Sequence, residues 1–214
     1  MASSIDVDAR QWRIVERWQE YEAEARANLL RTIGVGAFYI VELLNHYGLR
    51  LGALQLPPVE GVDRPFHLAV TALAAVWAMV AIGVHLSLRQ QIFPWYLKFL
   101  TTGADLILLT SILMVADGPG SPLVVGYFLI VTLSALRLNL PLIWFATAGS
   151  MLGYLVLCGH ARWYSDRQLD VPRYFQIIFL LALALAGIAL GQLIRRLPQI
   201  AADYARRIDQ NSKE

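Results

Sequence analysis

Apolar residues in this chain gather into six long runs separated by short polar breaks, at roughly 29–48, 66–87, 95–116, 122–138, 140–160 and 174–195. A helix needs about 20 apolar residues to cross about 30 Å of hydrocarbon. Each run therefore predicts a transmembrane helix, the fourth being the shortest. Backbone polar groups in lipid must be satisfied internally, and a helix is the only local way to do so. The breaks after the third and fourth runs are very short. Asp117 to Pro122 predicts a tight turn, with Gly118 and Gly120 supplying positive φ and Pro119 and Pro122 fixing the exit. Arg137 to Pro141 predicts a second. Runs three, four and five then form an antiparallel hairpin series.

The ends of the chain show a different pattern. The opening "DARQWRIVERWQEYEAEARANLL" places Ile14, Trp18, Tyr21 and Ala25 at heptad-like spacing, with charges on the other faces. Such a helix either lies along the inner leaflet, anchored by Trp12 and Trp18 with its arginines on anionic lipid, or extends the first span and packs on the closing segment. That segment, "RRLPQIAADYARRIDQNSKE", offers Leu197, Ile200 and Tyr204 at coiled-coil spacing, and Pro198 is expected to kink the exit from the sixth span. The expected organisation is all-α: an amphipathic helix over 1–28, a bundle of six transmembrane helices over 29–195 and a second amphipathic helix over 196–214.

Basic residues on alternate sides of the spans give the orientation. With the N-terminus inside, thirteen fall on the cytoplasmic side (Arg31, Arg89 and Lys98 among them) and five, Arg50, Arg64, Arg162, Arg167 and Arg173, on the outer side. The positive-inside bias places both termini in the cytoplasm. Acidic residues from Asp6 to Glu24 do not fit a cleaved signal peptide, so the first span is expected to be its own targeting signal.

Composition agrees with a lipid solvent: 57% of the 214 residues are hydrophobic and 16% charged, against about a quarter charged in a soluble domain. A net charge of +2 with no basic stripe excludes a nucleic-acid partner. The single cysteine, Cys158, has no partner for an internal disulfide and no zinc-type spacing.

Polar residues inside the runs are the candidates for chemistry. Asp105 lies mid-span in the third run, where an isolated charge costs several kcal/mol, so it is expected to face the interior and pair or protonate. Lys98, Thr101, Thr102, Thr132 and Ser150 are its expected partners. Glu42, His46, His67 and His160 fall at one depth near the outer ends. Imidazole and carboxylate suit a divalent metal or a titrating site, and interfacial hydrogen bonding is the plainer alternative. No histidine pair lines up as axial haem ligands, so no other cofactor is expected. Gly149 with Gly153, and Gly187 with Gly191, are small pairs four apart that suit a homodimer seam or packing within one chain.

Taken together, the third-span aspartate in "TTGADLILLTSILMV", the "DGPGSP" turn, the fourth span ending in "LSALRL" and the sixth span running into a polar helix resemble a known class. It is the six-helix membrane module at the N-terminus of many bacterial sensor histidine kinases and membrane-bound nucleotide or diguanylate cyclases. The resemblance implies a module that dimerises and relays a membrane or extracellular signal through its last helix. Asp105 and the turn from Gly118 to Pro122 are the matching positions. No kinase, cyclase or histidine-bearing dimerisation helix follows His160 in this sequence, which puts the output on a partner chain or on a segment beyond it. The expectation is a noncatalytic sensor or anchor with a cytoplasmic or membrane protein partner. The alternative is a small packing subunit of an electron-transfer or quinone-handling complex. A transporter fits less well for want of a repeat between the halves, and an enzyme for want of a Ser–His, HExxH or paired-carboxylate motif.

Overall fold

The computed structural model describes residues 2–51, 54–56, 64–90, 94–164 and 171–211, with side chains at 21–44, 46–48, 64–90, 94–164 and 171–197. Nearly all of this is helix, in two compact units, Met1–Ala116 and Asp117–Glu214.

The first unit holds α1 (Ala2–Tyr47), the short strands β1 (Leu49–Leu51) and β2 (Leu54–Leu56), α2 (Arg64–Arg89) and α3 (Leu97–Val115). Helix α2 packs on both α1 and α3. Gly48 ends α1 at φ 71°, its N–H bonded to the Leu44 carbonyl at 2.9 Å, the left-handed cap that only glycine takes without strain. The chain then turns into an antiparallel hairpin in which Leu49 pairs with Leu56. Strands of three residues are too short to show an alternating pattern in the sequence.

The second unit opens with two 3-10 turns, Gly118–Gly120 and Pro122–Val125, followed by α4 (Gly126–Leu136), α5 (Leu140–Trp163) and α6 (Arg173–Asn211). All three helices pack on one another, and the first turn packs on α5. Gly118 takes φ 63°, whereas the expected positive φ at Gly120 is absent. Ser121 Oγ accepts from the Leu123 N–H at 3.3 Å and starts the second turn. Between α4 and α5, Leu138 adopts φ 51°, and the Asn139 side chain caps α5 by accepting from the Leu142 N–H at 3.1 Å.

Among the described residues five helical segments are long and apolar enough to cross a membrane: Tyr21–Leu44, Arg64–Arg89, Leu97–Val115, Leu140–Trp163 and Arg173–Leu197. Pro122–Leu136 is a sixth, shorter apolar segment. The surface is that of a protein solvated by lipid. Ile82, Leu100, Ile107, Leu152, Ile177 and Leu181 are all exposed. Hydroxyls inside the spans donate to their own helix: Thr110 to the Leu106 carbonyl, Thr132 to Phe128 and Thr147 to Ile143, at 2.7 to 2.9 Å. With no water to bind, the carbonyl one turn back is the nearest acceptor.

Both terminal helices continue past their apolar runs. Helix α1 is continuous through residue 28, and its apolar stretch begins at Tyr21. Good helix formers fill the 20s, so nothing there ends the helix. Helix α6 likewise runs unbroken through Pro198. The side chains of Trp12, Ile14, Trp18, Ile200 and Tyr204 lie outside the described residues.

Candidate functional site

Asp105 sits 4% exposed on α3, and its carboxylate is fully engaged. Arg31 on α1 reaches it through Nε, at 2.8 Å from Oδ1 and 3.0 Å from Oδ2, and through Nη2, at 2.8 Å from Oδ2. From α2, Trp77 donates its indole N–H to Oδ1 at 2.7 Å. Asn28 completes the group. Its Oδ1 accepts from Arg31 Nη1 at 2.7 Å, and its Nδ2 donates to the Ala81 carbonyl on α2 at 3.0 Å. Three helices thus meet on one carboxylate and one guanidinium.

The depth of this group matters. Arg31 lies ten residues from the start of the Tyr21–Leu44 segment, Trp77 thirteen from the start of Arg64–Arg89 and Asp105 eight from the start of Leu97–Val115. At 1.5 Å per residue, these positions are about 12 to 20 Å from the segment ends, close to mid-span. A single charge there costs about 2.5 to 3.5 kcal/mol on insertion scales. Pairing opposite charges and hydrogen-bonding both offsets part of that cost.

Asp105 faces inward and is paired, and the groups that bond its carboxylate are Arg31 and Trp77. Lys98 is buried two turns earlier on α3 and is not among the groups that touch Asp105. Thr101 and Thr102 turn their hydroxyls back to the Lys98 carbonyl, at 3.2 and 2.8 Å. Thr132 and Ser150 belong to the second unit. Arg31, counted as a cytoplasmic charge, lies inside the apolar segment.

Three of the four outer candidates come together. Glu42 Oε1 lies 3.3 Å from His67 Nδ1, and the His46 and His67 rings stack at 4.1 Å, 4° from parallel. Tyr47 stands edge-on to both rings. The fourth, His160, is on α5 in the second unit, where its ring stacks on Tyr164 at 6.2 Å. Stacked rings direct their nitrogens along parallel planes rather than toward one point. No group of three His, Cys, Asp or Glu able to hold a metal ion occurs among the described residues.

The second unit packs its helices closely through small residues and rings. Gly187 and Gly191 on α6 are buried against α5. A Cβ at Gly187 would stand 2.3 Å from Thr147 Oγ1 and 2.7 Å from its Cγ2. The α6 glycine pair therefore serves close approach within this unit. Gly149 and Gly153 are half-buried on α5. An aromatic cluster fills the rest, with Phe179 of α6 at 4.2 Å from Tyr154 of α5 and 5.4 Å from Phe128 of α4.

Fold and site together define a polytopic all-α membrane protein with an ion pair buried at mid-span. Comparison with family models, with curated proteins and with solved structures finds no match to this chain.

Proposed function

We propose that this protein is a noncatalytic module of a bacterial inner membrane that relays a membrane or extracellular signal to a cytoplasmic partner through its terminal helices. The observation that carries this reading is the continuity of α1 and α6. Helix α1 has 46 residues and α6 has 39, while their apolar segments take 24 and 25. Beyond those segments α1 extends over residues 2–20 and α6 over 198–211, about 28 and 21 Å at 1.5 Å per residue. An unbroken helix carries a shift or rotation at one end to the other, because its backbone bonds do not stretch. With an even number of crossings both extensions lie on one face, and the arginine bias makes that face cytoplasmic.

In this reading the Arg31–Asp105 pair fixes where α1 sits against α2 and α3, since only one register satisfies every donor and acceptor. A signal that displaces α1 must act against that clamp. The six-helix sensor modules that the sequence resembles share the mid-span aspartate and the glycine–proline turn, which supports the same assignment.

Photo-crosslinkers placed at positions 200 and 204, and at 185 within the span, test the relay in native membranes. The expected result is a protein adduct from the tail positions and lipid adducts alone from 185. Tail positions that give no protein adduct, or reporter fusions that put the two termini on opposite faces, would overturn it. Stoichiometric larger subunits carrying haem absorbance after native purification would replace it with the packing-subunit reading.

A further inference from the structure

Helices α1 and α2 leave a half-open groove of about 1050 Å³ between them, at the upper end of the size range of small-molecule sites. Its floor is made of small residues, Gly36 on α1 and Ala74, Ala75 and Ala78 on α2. A Cβ added at Gly36 would meet nothing within 4 Å, so the space beside it is open. The groove runs from Arg89 to Thr71, eighteen residues of α2, about 27 Å at 1.5 Å per residue and so nearly the depth of the hydrocarbon.

Its two ends differ. At one, the Tyr39 hydroxyl lies 3.3 Å from Thr71 Oγ1, a neutral bridge between the helices. At the other stand Tyr21, His85 and Arg89, all exposed. Among the described residues neither Arg89 nor His85 is taken up by an ion pair, and no carboxylate lines the groove. This end is at headgroup depth. Arg89 closes the apolar segment of α2, and Trp95 and Tyr96, exposed just beyond it, are of the type that collects at the membrane–water boundary. An arginine there extends its head to the interface and lays its stem on the apolar wall.

From this juxtaposition we infer that the groove holds an anionic phospholipid of the surrounding bilayer, with its phosphate on Arg89 and His85 and an acyl chain along Ala78, Ala75 and Gly36. The cationic end and the absence of any lining carboxylate select an anionic head. The depth and apolar wall select a chain. A helix of a second copy fits less well, because its lipid-facing side would cover Arg89 with apolar surface and leave the charge uncompensated.

Native mass spectrometry of the full chain in detergent, offered equal phosphatidylglycerol and phosphatidylcholine, tests this inference. The wild type is expected to retain phosphatidylglycerol preferentially. H85Q and R89Q together should cut that preference about fivefold or more, the loss expected for one surface cation facing anionic lipid. Ala78→Trp fills the groove and should reduce retention of both lipids. If that variant fails to fold, the charge variants decide alone, because both positions are exposed. Equal retention of the two lipids by the wild type, an unchanged preference in the double variant, or a dimer that A78W dissociates would each overturn the assignment. None of these readouts involves a cytoplasmic partner, so they stand or fall separately from the relay.

Discussion

The two units solve the same problem, holding three apolar helices together in lipid, with different chemistry. The first joins α1, α2 and α3 through a guanidinium, a carboxylate, an indole and an amide. The second joins α4, α5 and α6 by shape, with glycine against threonine and ring against ring. Lipid explains why either is needed. Tails are as apolar as leucine, so helices gain little by hiding leucines from them, and association rests on close packing or on hydrogen bonds. Close packing tolerates small displacements at small cost. A saturated ion pair does not, since moving one helix leaves a charge unpaired at mid-span. The first unit is therefore the one whose helix register is set all-or-none.

The largest effect should come from breaking that pair on one side. Asp105→Ala leaves Arg31 charged, buried and without its counter-ion, and should destabilise the first unit by about 3 to 5 kcal/mol, read by thermal or denaturant unfolding in detergent. Replacing Arg31 and Asp105 together with leucine should restore most of the loss, because apolar residues of similar volume need no partner. If the double variant is as unstable as D105A, the pair contributes more than mutual neutralisation. Trp77→Phe is milder. It keeps an aromatic ring, though a smaller one, and deletes the N–H donated to Asp105 Oδ1, a hydrogen bond to a charged group worth about 1.5 to 3 kcal/mol, to which the lost buried volume adds.

The second unit should respond to volume rather than to charge. Gly187→Ala places a methyl group where Thr147 already stands, so α5 and α6 must part or Thr147 must rotate, a strain of about 1 to 3 kcal/mol. Thr147→Ala removes Oγ1 and Cγ2, the nearest two atoms, and should recover part of it. Gly83→Ala in the first unit is the control. Its Cβ would meet nothing within 4 Å, and no loss is expected. Equal losses at Gly187 and Gly83 would mean that helix contact has nothing to do with the effect.

Much of this was open to sequence reading, and the missed parts share a physical reason. Six apolar runs and the Gly–Pro turn follow from composition and local sterics, which one sequence carries in full. Asp105 was legible as buried and paired, because a carboxylate at mid-span has few alternatives. Its partner was missed through a boundary. Starting the first span at 29 places Arg31 at its edge, while the apolar stretch begins at Tyr21 and puts Arg31 near mid-depth. An arginine and an aspartate at equal depth in two spans are an electrostatic match, and that rule would have found them. Trp77 and Asn28 carry no such signal, since an indole or amide within a span suits many environments. The His46–His67 stack was half legible: helical spacing put Glu42 and His46 on one face, while the meeting with His67 depends on how α1 and α2 pack.

The Glu42–His67 contact sets the lower end of the scale. Both side chains keep a little exposure, 12% and 13%, and the separation of 3.3 Å is long for a charge-assisted bond. Water and headgroups near the end of the span can take over from either partner, which the hydrocarbon around Asp105 cannot do. Glu42→Gln keeps an oxygen that can accept from the imidazole and loses only the charge. The expected cost is below about 1 kcal/mol in the unfolding experiment used for D105A, the range of partly exposed pairs. A loss approaching that of D105A would show that the first unit is pinned by charge at two depths, and that the C-terminal end of α1 is as constrained as its middle.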